Sequence, residues 1–183
     1  MGTGGISRGS DRPGMNGAKK SRDGVEEAKA AALTYLSYRS RSIGEVRKRL
    51  LQKGFDADDV GEVIARFTDL GYLDDKRFAE EWVRFSAKGK GWGRRRIIQE
   101  LAAKGIERET IDGAVACLSV ENERVTARTA LEAWRRKRTA PTPSSLRERQ
   151  SAYQHLMRRG FATETVIAVI KELLPAGEND EGR

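Results

Sequence analysis

Apolar residues recur at three- and four-residue steps along most of the chain. This spacing places them on one face of an α-helix, and no comparable run alternates at every second residue as a strand would. Proline, the strongest helix breaker, is absent from residues 14–140. The pattern therefore predicts nine α-helices, whose apolar positions fall within residues 25–36, 43–50, 60–70, 78–83, 97–101, 111–118, 125–134, 146–157 and 166–173.

One motif occurs three times and groups the nine helices into three units. Its copies are Leu50-x3-Gly54-Phe55-x4-Val60, Leu101-x3-Gly105-Ile106-x4-Ile111 and Leu156-x3-Gly160-Phe161-x4-Val166. The glycine provides a left-handed helix end, and a basic residue (Lys53, Lys104 or Arg159) precedes it at the negative end of the helix dipole. Each unit is thus predicted to run helix, loop, helix, tight turn, helix.

The predicted fold is all-α, with three tandem three-helix repeats that form an elongated curved array. A three-helix unit of about 50 residues is marginal alone and gains stability by stacking on its neighbours. We expect a disordered basic tail at 1–24, repeats at 25–74, 75–120 and 121–175, and an acidic tail at 176–183. The low apolar content of the first tail is the reason for expecting disorder there.

Composition excludes several classes of chemistry. With one cysteine and one histidine, the chain can form neither an internal disulfide nor a Cys/His zinc site. No apolar run approaches the roughly 18 residues that span a bilayer, so we expect a cytoplasmic protein with no membrane association. The net charge is +8 and indicates an acidic partner, either a phosphate backbone or a carboxylate-rich protein.

No catalytic or metal-binding constellation is recognisable, and we predict neither an enzyme nor a cofactor. His155 has no paired acid or cysteine at helical spacing and is interpreted as a partly exposed helix residue. Cys117, between Ala116 and Leu118, is interpreted as a small core residue. Asp74 and Asp75 precede a helical pattern, which favours a helix N-cap over a metal site.

The remaining candidate chemistry is a set of basic clusters. Equivalent helices of a repeat array line one face, so these clusters can combine into one basic surface. Trp92, between glycines, either stacks on a partner or anchors the core between units, and the sequence leaves both open. The candidate binding face comprises Arg47, Lys48, Lys88, Lys90, Trp92, Arg94, Arg95, Arg96, Arg135 and Arg136.

The middle of the chain resembles the RecX family of recombination regulators. The residues that carry the resemblance are Gly71-Tyr72-Leu73-Asp74-Asp75-x-Arg77-Phe78-Ala79 and Lys90-Gly91-Trp92-Gly93-x-x-Arg96-Ile97-x-x-Glu100-Leu101-x-x-Lys104-Gly105-Ile106. The likeness begins near Arg39 and extends to the third repeat. Arg94 stands where the family commonly has proline, and Ala87 stands where it often has arginine.

The resemblance implies a negative modulator of the RecA recombinase. Such a protein docks in the groove of the RecA filament on single-stranded DNA and inhibits ATP hydrolysis, strand exchange and co-protease activity. It also implies binding to single- and double-stranded DNA, and we expect a monomer. The alternative is a direct DNA-binding protein or transcriptional regulator, because Leu50-x3-Gly54 followed by a helix resembles a helix-turn-helix.

Overall fold

The computed structural model describes residues 15–137 and 146–175, and within them it contains nine α-helices and no strand. The helices are α1 (Met15–Leu36), α2 (Ile43–Gln52), α3 (Ala57–Asp69), α4 (Asp75–Lys90), α5 (Arg94–Ala103), α6 (Arg108–Val115), α7 (Val120–Arg136), α8 (Leu146–Arg158) and α9 (Thr163–Leu173). The predicted all-α class with three tandem three-helix repeats is confirmed. We call α1–α3 unit 1, α4–α6 unit 2 and α7–α9 unit 3.

Each unit has its own hydrophobic core. Leu50, Leu101 and Leu156, the leucines of the repeated motif, are almost completely buried, each in a separate cluster. In every unit the first and third helices make the most extensive contact, and within the described residues all extensive helix–helix contacts lie inside a unit. The units therefore meet only at narrow junctions, as expected of a tandem array.

The helix ends follow the chemistry read from the motif. Gly54, Gly105 and Gly160 have φ values of 89°, 78° and 81°, so all three adopt the predicted left-handed conformation after the second helix of their unit. The Asp74 carboxylate accepts a hydrogen bond from the Arg77 backbone N–H at 2.9 Å. Asp74 is thus the N-cap of α4, as predicted.

Two features differ from what the sequence pattern indicates. Helix α1 begins at Met15, inside the segment 1–24 that composition assigns to a tail; residues 1–14 and 176–183 lie outside the described part. The interpretation of Cys117 as a core residue is wrong, because its side chain is exposed. Cys117 falls in the turn after α6, where its thiol donates a hydrogen bond to the Ala114 carbonyl at 3.3 Å.

Candidate functional site

The second helices of the three units meet end to end. The Ser42 hydroxyl, at the start of α2, donates to the Lys104 carbonyl at the end of α5 at 2.6 Å. One repeat later, the Gly93 N–H at the start of α5 donates to the Arg159 carbonyl at the end of α8 at 2.8 Å. Each junction therefore sets the positive end of one helix dipole against the negative end of the next.

Close backbone approach is possible at both junctions because glycines lie on both sides. A Cβ atom added to Gly44 would lie 2.4 Å from the Lys104 carbonyl oxygen, and one on Gly93 would lie 2.5 Å from the Gly160 carbonyl carbon and oxygen. Gly105 and Gly160 thus have two roles, since they end one helix and admit the start of another.

The junction between units 1 and 2 has complementary charges. The Glu45 carboxylate lies 2.7 Å from the Arg39 guanidinium and 3.3 Å from the Lys104 ammonium. Burial alone raises the pKa of Glu45, but hydrogen bonds from Arg39 and the Ser42 N–H, with the charges of Lys104 and Arg39, outweigh it and lower the pKa overall.

A second carboxylate crosses the same junction. Asp75 of α4 accepts the Ile43 backbone N–H of α2 at 2.9 Å. Burial raises the pKa of Asp75, and the neighbouring carboxylates of Asp74, Glu107 and Glu45 raise it further, although the Ile43 hydrogen bond opposes them. Unit 1 is therefore joined to unit 2 by paired charges and backbone hydrogen bonds.

The junction between units 2 and 3 is held differently. The Arg159 guanidinium donates to the carbonyl oxygens of Lys90 and Gly91 at 2.6 and 3.1 Å, and Arg96 donates to the Arg158 carbonyl at 3.3 Å. Burial, followed by the nearby charge of Arg96, lowers the pKa of Arg159. The arginine guanidinium groups at this junction thus donate to main-chain oxygens. The Glu123 carboxylate of α7 also crosses the junction, because it accepts the Arg94 backbone N–H at 3.2 Å, as Asp75 accepts that of Ile43 at the first junction.

Cations and tryptophan rings alternate across unit 2. The Lys104 ammonium lies 4.3 Å from the Trp82 ring centroid, and Lys90 lies 4.6 Å from Trp82 and 4.1 Å from Trp92. The series ends at Arg96, whose guanidinium carbon is 4.3 Å from the Trp92 centroid. We call this set (Lys104, Trp82, Lys90, Trp92, Arg96) the cation–aromatic series. It runs from one junction of unit 2 to the other and includes the indole of Trp92 on the unit 2 core.

The predicted binding residues have different surroundings. Lys90, Trp92 and Arg96 lie together in the cation–aromatic series. The Arg94 guanidinium donates to the carbonyls of Val115 and Leu118 at 2.9 and 3.4 Å, so it caps the end of α6. Arg135 similarly donates to the Leu173 carbonyl at 3.3 Å and lies 3.5 Å from Glu148. The exposed members are Arg47, Lys48, Lys88, Arg95 and Arg136.

The sequence prediction did not assign the residues that join the units. Ser42, Glu45 and Asp75 act across sequence separations that no local pattern reveals. One signal was available: the residue before each motif glycine. At Lys104 and Arg159, the backbone carbonyl of this residue accepts a hydrogen bond from the start of the preceding unit's second helix.

His155 is a half-buried titratable group of unit 3, in keeping with its interpretation as a partly exposed helix residue. Its Nε2 accepts the Arg159 Nε–H at 3.0 Å, and its ring lies 5.5 Å from that of Trp134. Burial, and then the charges of Arg159 and Arg158, lowers the pKa of His155 from 6.5 to about 4. His155 is therefore neutral at pH 7 and acts as a hydrogen-bond acceptor.

We expect His155 to make unit 3 less stable in acid. Because its folded-state pKa is depressed, the stabilisation is complete above pH 6.5 and is lost as the pH falls through about 4. After allowance for solvent screening, the free energy of unfolding falls by about 1 kcal/mol. The comparison variant is His155→Gln, which keeps an acceptor for Arg159. Urea unfolding of the two proteins at several pH values measures how the difference in their free energies of unfolding changes with pH. Parallel stability profiles for the two proteins would contradict this assignment.

The described residues contain no group of three or more His, Cys, Asp or Glu side chains able to hold a metal ion. None of the helices in this part of the chain is long and apolar enough to cross a membrane.

Comparisons with known proteins point to the same family along most of the chain. Family models described as the first, second and third three-helix domains of RecX match residues 28–67, 74–115 and 127–170. A regulatory protein RecX of Mycobacterium sp. (strain KMS) is 34% identical over 160 residues, 86% of this chain and 87% of the relative. That of Mycolicibacterium smegmatis is 32% identical over 176 residues, 95% of this chain and 93% of the relative.

Solved structures show the same likeness in three dimensions. The crystal structure of RecX from Lactobacillus salivarius has a TM-score of 0.69 at 27% identity, and the match covers 83% of this chain and 97% of that one. A second crystal structure, of a regulatory protein RecX, has a TM-score of 0.71 at 25% identity, and the match covers 84% of this chain and 74% of that one. The three domain matches in tandem and the shared fold show that the chain belongs to the RecX family of regulatory proteins.

Proposed function

We propose that the protein is a negative modulator of the RecA recombinase in the cytoplasm. It binds in the helical groove of the RecA filament on single-stranded DNA and inhibits ATP hydrolysis, strand exchange and co-protease activity. The observation that carries the proposal is the end-to-end arrangement of α2, α5 and α8 in a RecX-family chain. An array joined in this way can follow a groove over several protomers of a polymer.

Charge supports the same conclusion. The chain carries a net charge of +8, and exposed basic side chains lie on two consecutive second helices: Arg47 and Lys48 on α2, and Arg95 on α5. A surface of this kind attracts a polyanion or an acidic protein face and accelerates association. A filament of protein on DNA can present both. We propose that the protein acts on it as a monomer, since one chain already supplies three units.

Direct DNA binding is the second candidate. The observation that favours it is the cation–aromatic series, because proteins that bind single strands combine basic groups with aromatic rings. It predicts that affinity for bare DNA equals or exceeds affinity for the RecA filament, with a steep dependence on salt.

The proposal is tested by RecA's DNA-dependent ATP hydrolysis with this protein added. The variant Lys48→Glu/Arg95→Glu reverses exposed charges on α2 and α5, and the control Arg66→Glu/Lys171→Glu reverses two exposed charges on α3 and α9. Both reduce the net charge equally. Arg94 is left intact because its guanidinium caps α6.

We expect the variant on the second helices to need at least about tenfold more protein for half-inhibition, which corresponds to about 1.4 kcal/mol. The control should inhibit nearly as the wild type does. Equal losses in the two variants would show that only net charge matters and would remove the second helices from the interface.

A further inference from the structure

The two junctions contain equivalent clefts. The cleft between units 1 and 2 has a volume of about 650 Å³ and includes Glu45, Lys48 and Lys104 in its lining. The cleft between units 2 and 3 has a volume of about 390 Å³ and includes Arg96 and Arg158. Each lies where the start of one second helix meets the end of the next, so the repeat relates them directly.

Their charges are not equivalent. The repeat offsets of 51 and 55 residues put Arg96 at the position of Glu45, and Arg159 at the position of Lys104. An acid–base pair 3.3 Å apart at the first junction is thus replaced by two arginines at the second. Like charges brought together at a junction weaken it unless other groups offset them.

Compensation inside the protein is incomplete. Arg159 is satisfied by main-chain carbonyls, and Arg96 has the Arg158 carbonyl at 3.3 Å and the Glu100 carboxylate at 3.8 Å. The side chains of Arg95 and Arg158 are exposed, and the described part of the chain provides them with no hydrogen bond or ion pair. Two uncommitted guanidinium groups, one from each unit, therefore line the second cleft.

We infer that the cleft between units 2 and 3 binds a phosphate group of a single-stranded nucleic-acid backbone, through Arg95, Arg96 and Arg158. Guanidinium groups present paired N–H donors that match phosphate oxygens. The site rests on the proposed function to the extent that a RecA filament carries such a strand. It deepens that function by placing one DNA contact at one junction.

The surroundings favour nucleic acid over an acidic peptide, whose carboxylates have similar hydrogen-bonding chemistry. Arg96 belongs to both the cleft and the cation–aromatic series, so Trp92 and Lys90 lie next to the phosphate site. A strand whose phosphate occupies the cleft can bring its bases towards these rings. Aromatic rings combined with cations along a groove are typical of single-strand binding.

The test needs no RecA, so its failure is distinguishable from failure of the proposed function. Binding of a fluorescent oligothymidylate is measured by anisotropy over a range of salt concentrations. The variant is Arg95→Ala/Arg158→Ala, whose exposed side chains make no hydrogen bond or ion pair within the described residues. The matched control, Arg66→Ala/Lys171→Ala, removes two exposed charges from third helices.

We expect the variant to lose at least about tenfold in affinity and the slope of log K against log salt to fall by about 0.7, the value for one phosphate contact on a single strand. The control should change neither. Arg95→Lys/Arg158→Lys should keep the slope while losing affinity, because lysine retains the charge without the paired donors.

A second readout separates the sources of the anion. Inorganic phosphate, at ionic strength matched with chloride, should raise the unfolding midpoint of the wild type and control but not of the alanine variant. Two results would overturn the inference. One is an oligothymidylate affinity that is unchanged in the alanine variant, whether or not phosphate stabilisation is lost, and the other is polyglutamate that competes for the site more strongly than oligothymidylate.

Discussion

Gly160→Ala is expected to lower the free energy of unfolding by about 2–5 kcal/mol. Two costs add at this position. An L-residue at φ 81° costs about 1–2 kcal/mol. The new Cβ would also lie 2.4 Å from the Arg96 backbone nitrogen, and forcing atoms into a packed contact costs a further 1–3 kcal/mol. Because that contact is the junction itself, the substitution should also loosen unit 3 from unit 2.

The repeat provides its own control for this prediction. Gly54 has φ 89° and nothing within 4 Å of its added Cβ, so Gly54→Ala should show the backbone cost alone, about 1–2 kcal/mol. Gly105→Ala should lie between the two, because its nearest neighbour is the Gly44 Cα at 3.1 Å. Urea unfolding of the three variants gives the order. Equal losses would contradict the junction geometry.

Trp92→Ala is expected to lower the free energy of unfolding by about 2–4 kcal/mol. The indole packs partly buried on the unit 2 core and lies between Lys90 and Arg96, at 4.1 and 4.3 Å. Truncation removes apolar burial and two cation–π contacts of about 0.5–1 kcal/mol each. It also leaves the two cations with fewer neighbours at a junction that already contains like charges.

Chemical denaturation with tryptophan fluorescence measures this loss, and Trp92→Phe should retain part of the stability. A Trp92→Ala protein as stable as the wild type would mean that the ring serves a partner only. The sequence left two roles open for Trp92, a partner contact or a core anchor between units. Its indole packs on the core of unit 2, which anchors it within that unit, while its contact with Arg96 keeps it next to the proposed phosphate site.

Local patterns predicted the helices and their ends. Gly54, Gly105 and Gly160 adopt the left-handed conformation, and Asp74 caps α4, because these features depend on residues within one helical turn. The repeated motif also predicted three units, because equal spacing of buried leucines and terminal glycines reflects equal supersecondary structures.

The junctions could not be predicted in the same way. The Ser42–Lys104 hydrogen bond joins residues 62 positions apart, and the Arg159–Lys90 bond joins residues 69 apart. Their formation depends on how whole units pack. Charge alone likewise could not separate Arg94, which caps α6, from Arg95, which is exposed one position later. Adjacent positions on a helix point about 100° apart and so meet different surroundings.

Docking in the filament groove is tested most directly by comparing binding to RecA filaments on single-stranded DNA with binding to the bare strand, alongside RecA's ATP hydrolysis. If the protein docks in the filament groove, it should bind the filament more tightly than the bare strand and inhibit hydrolysis at concentrations well below those that saturate the DNA. Hydrolysis that stays unchanged until the DNA is covered would contradict filament docking and would leave direct DNA binding as the function of the basic surface.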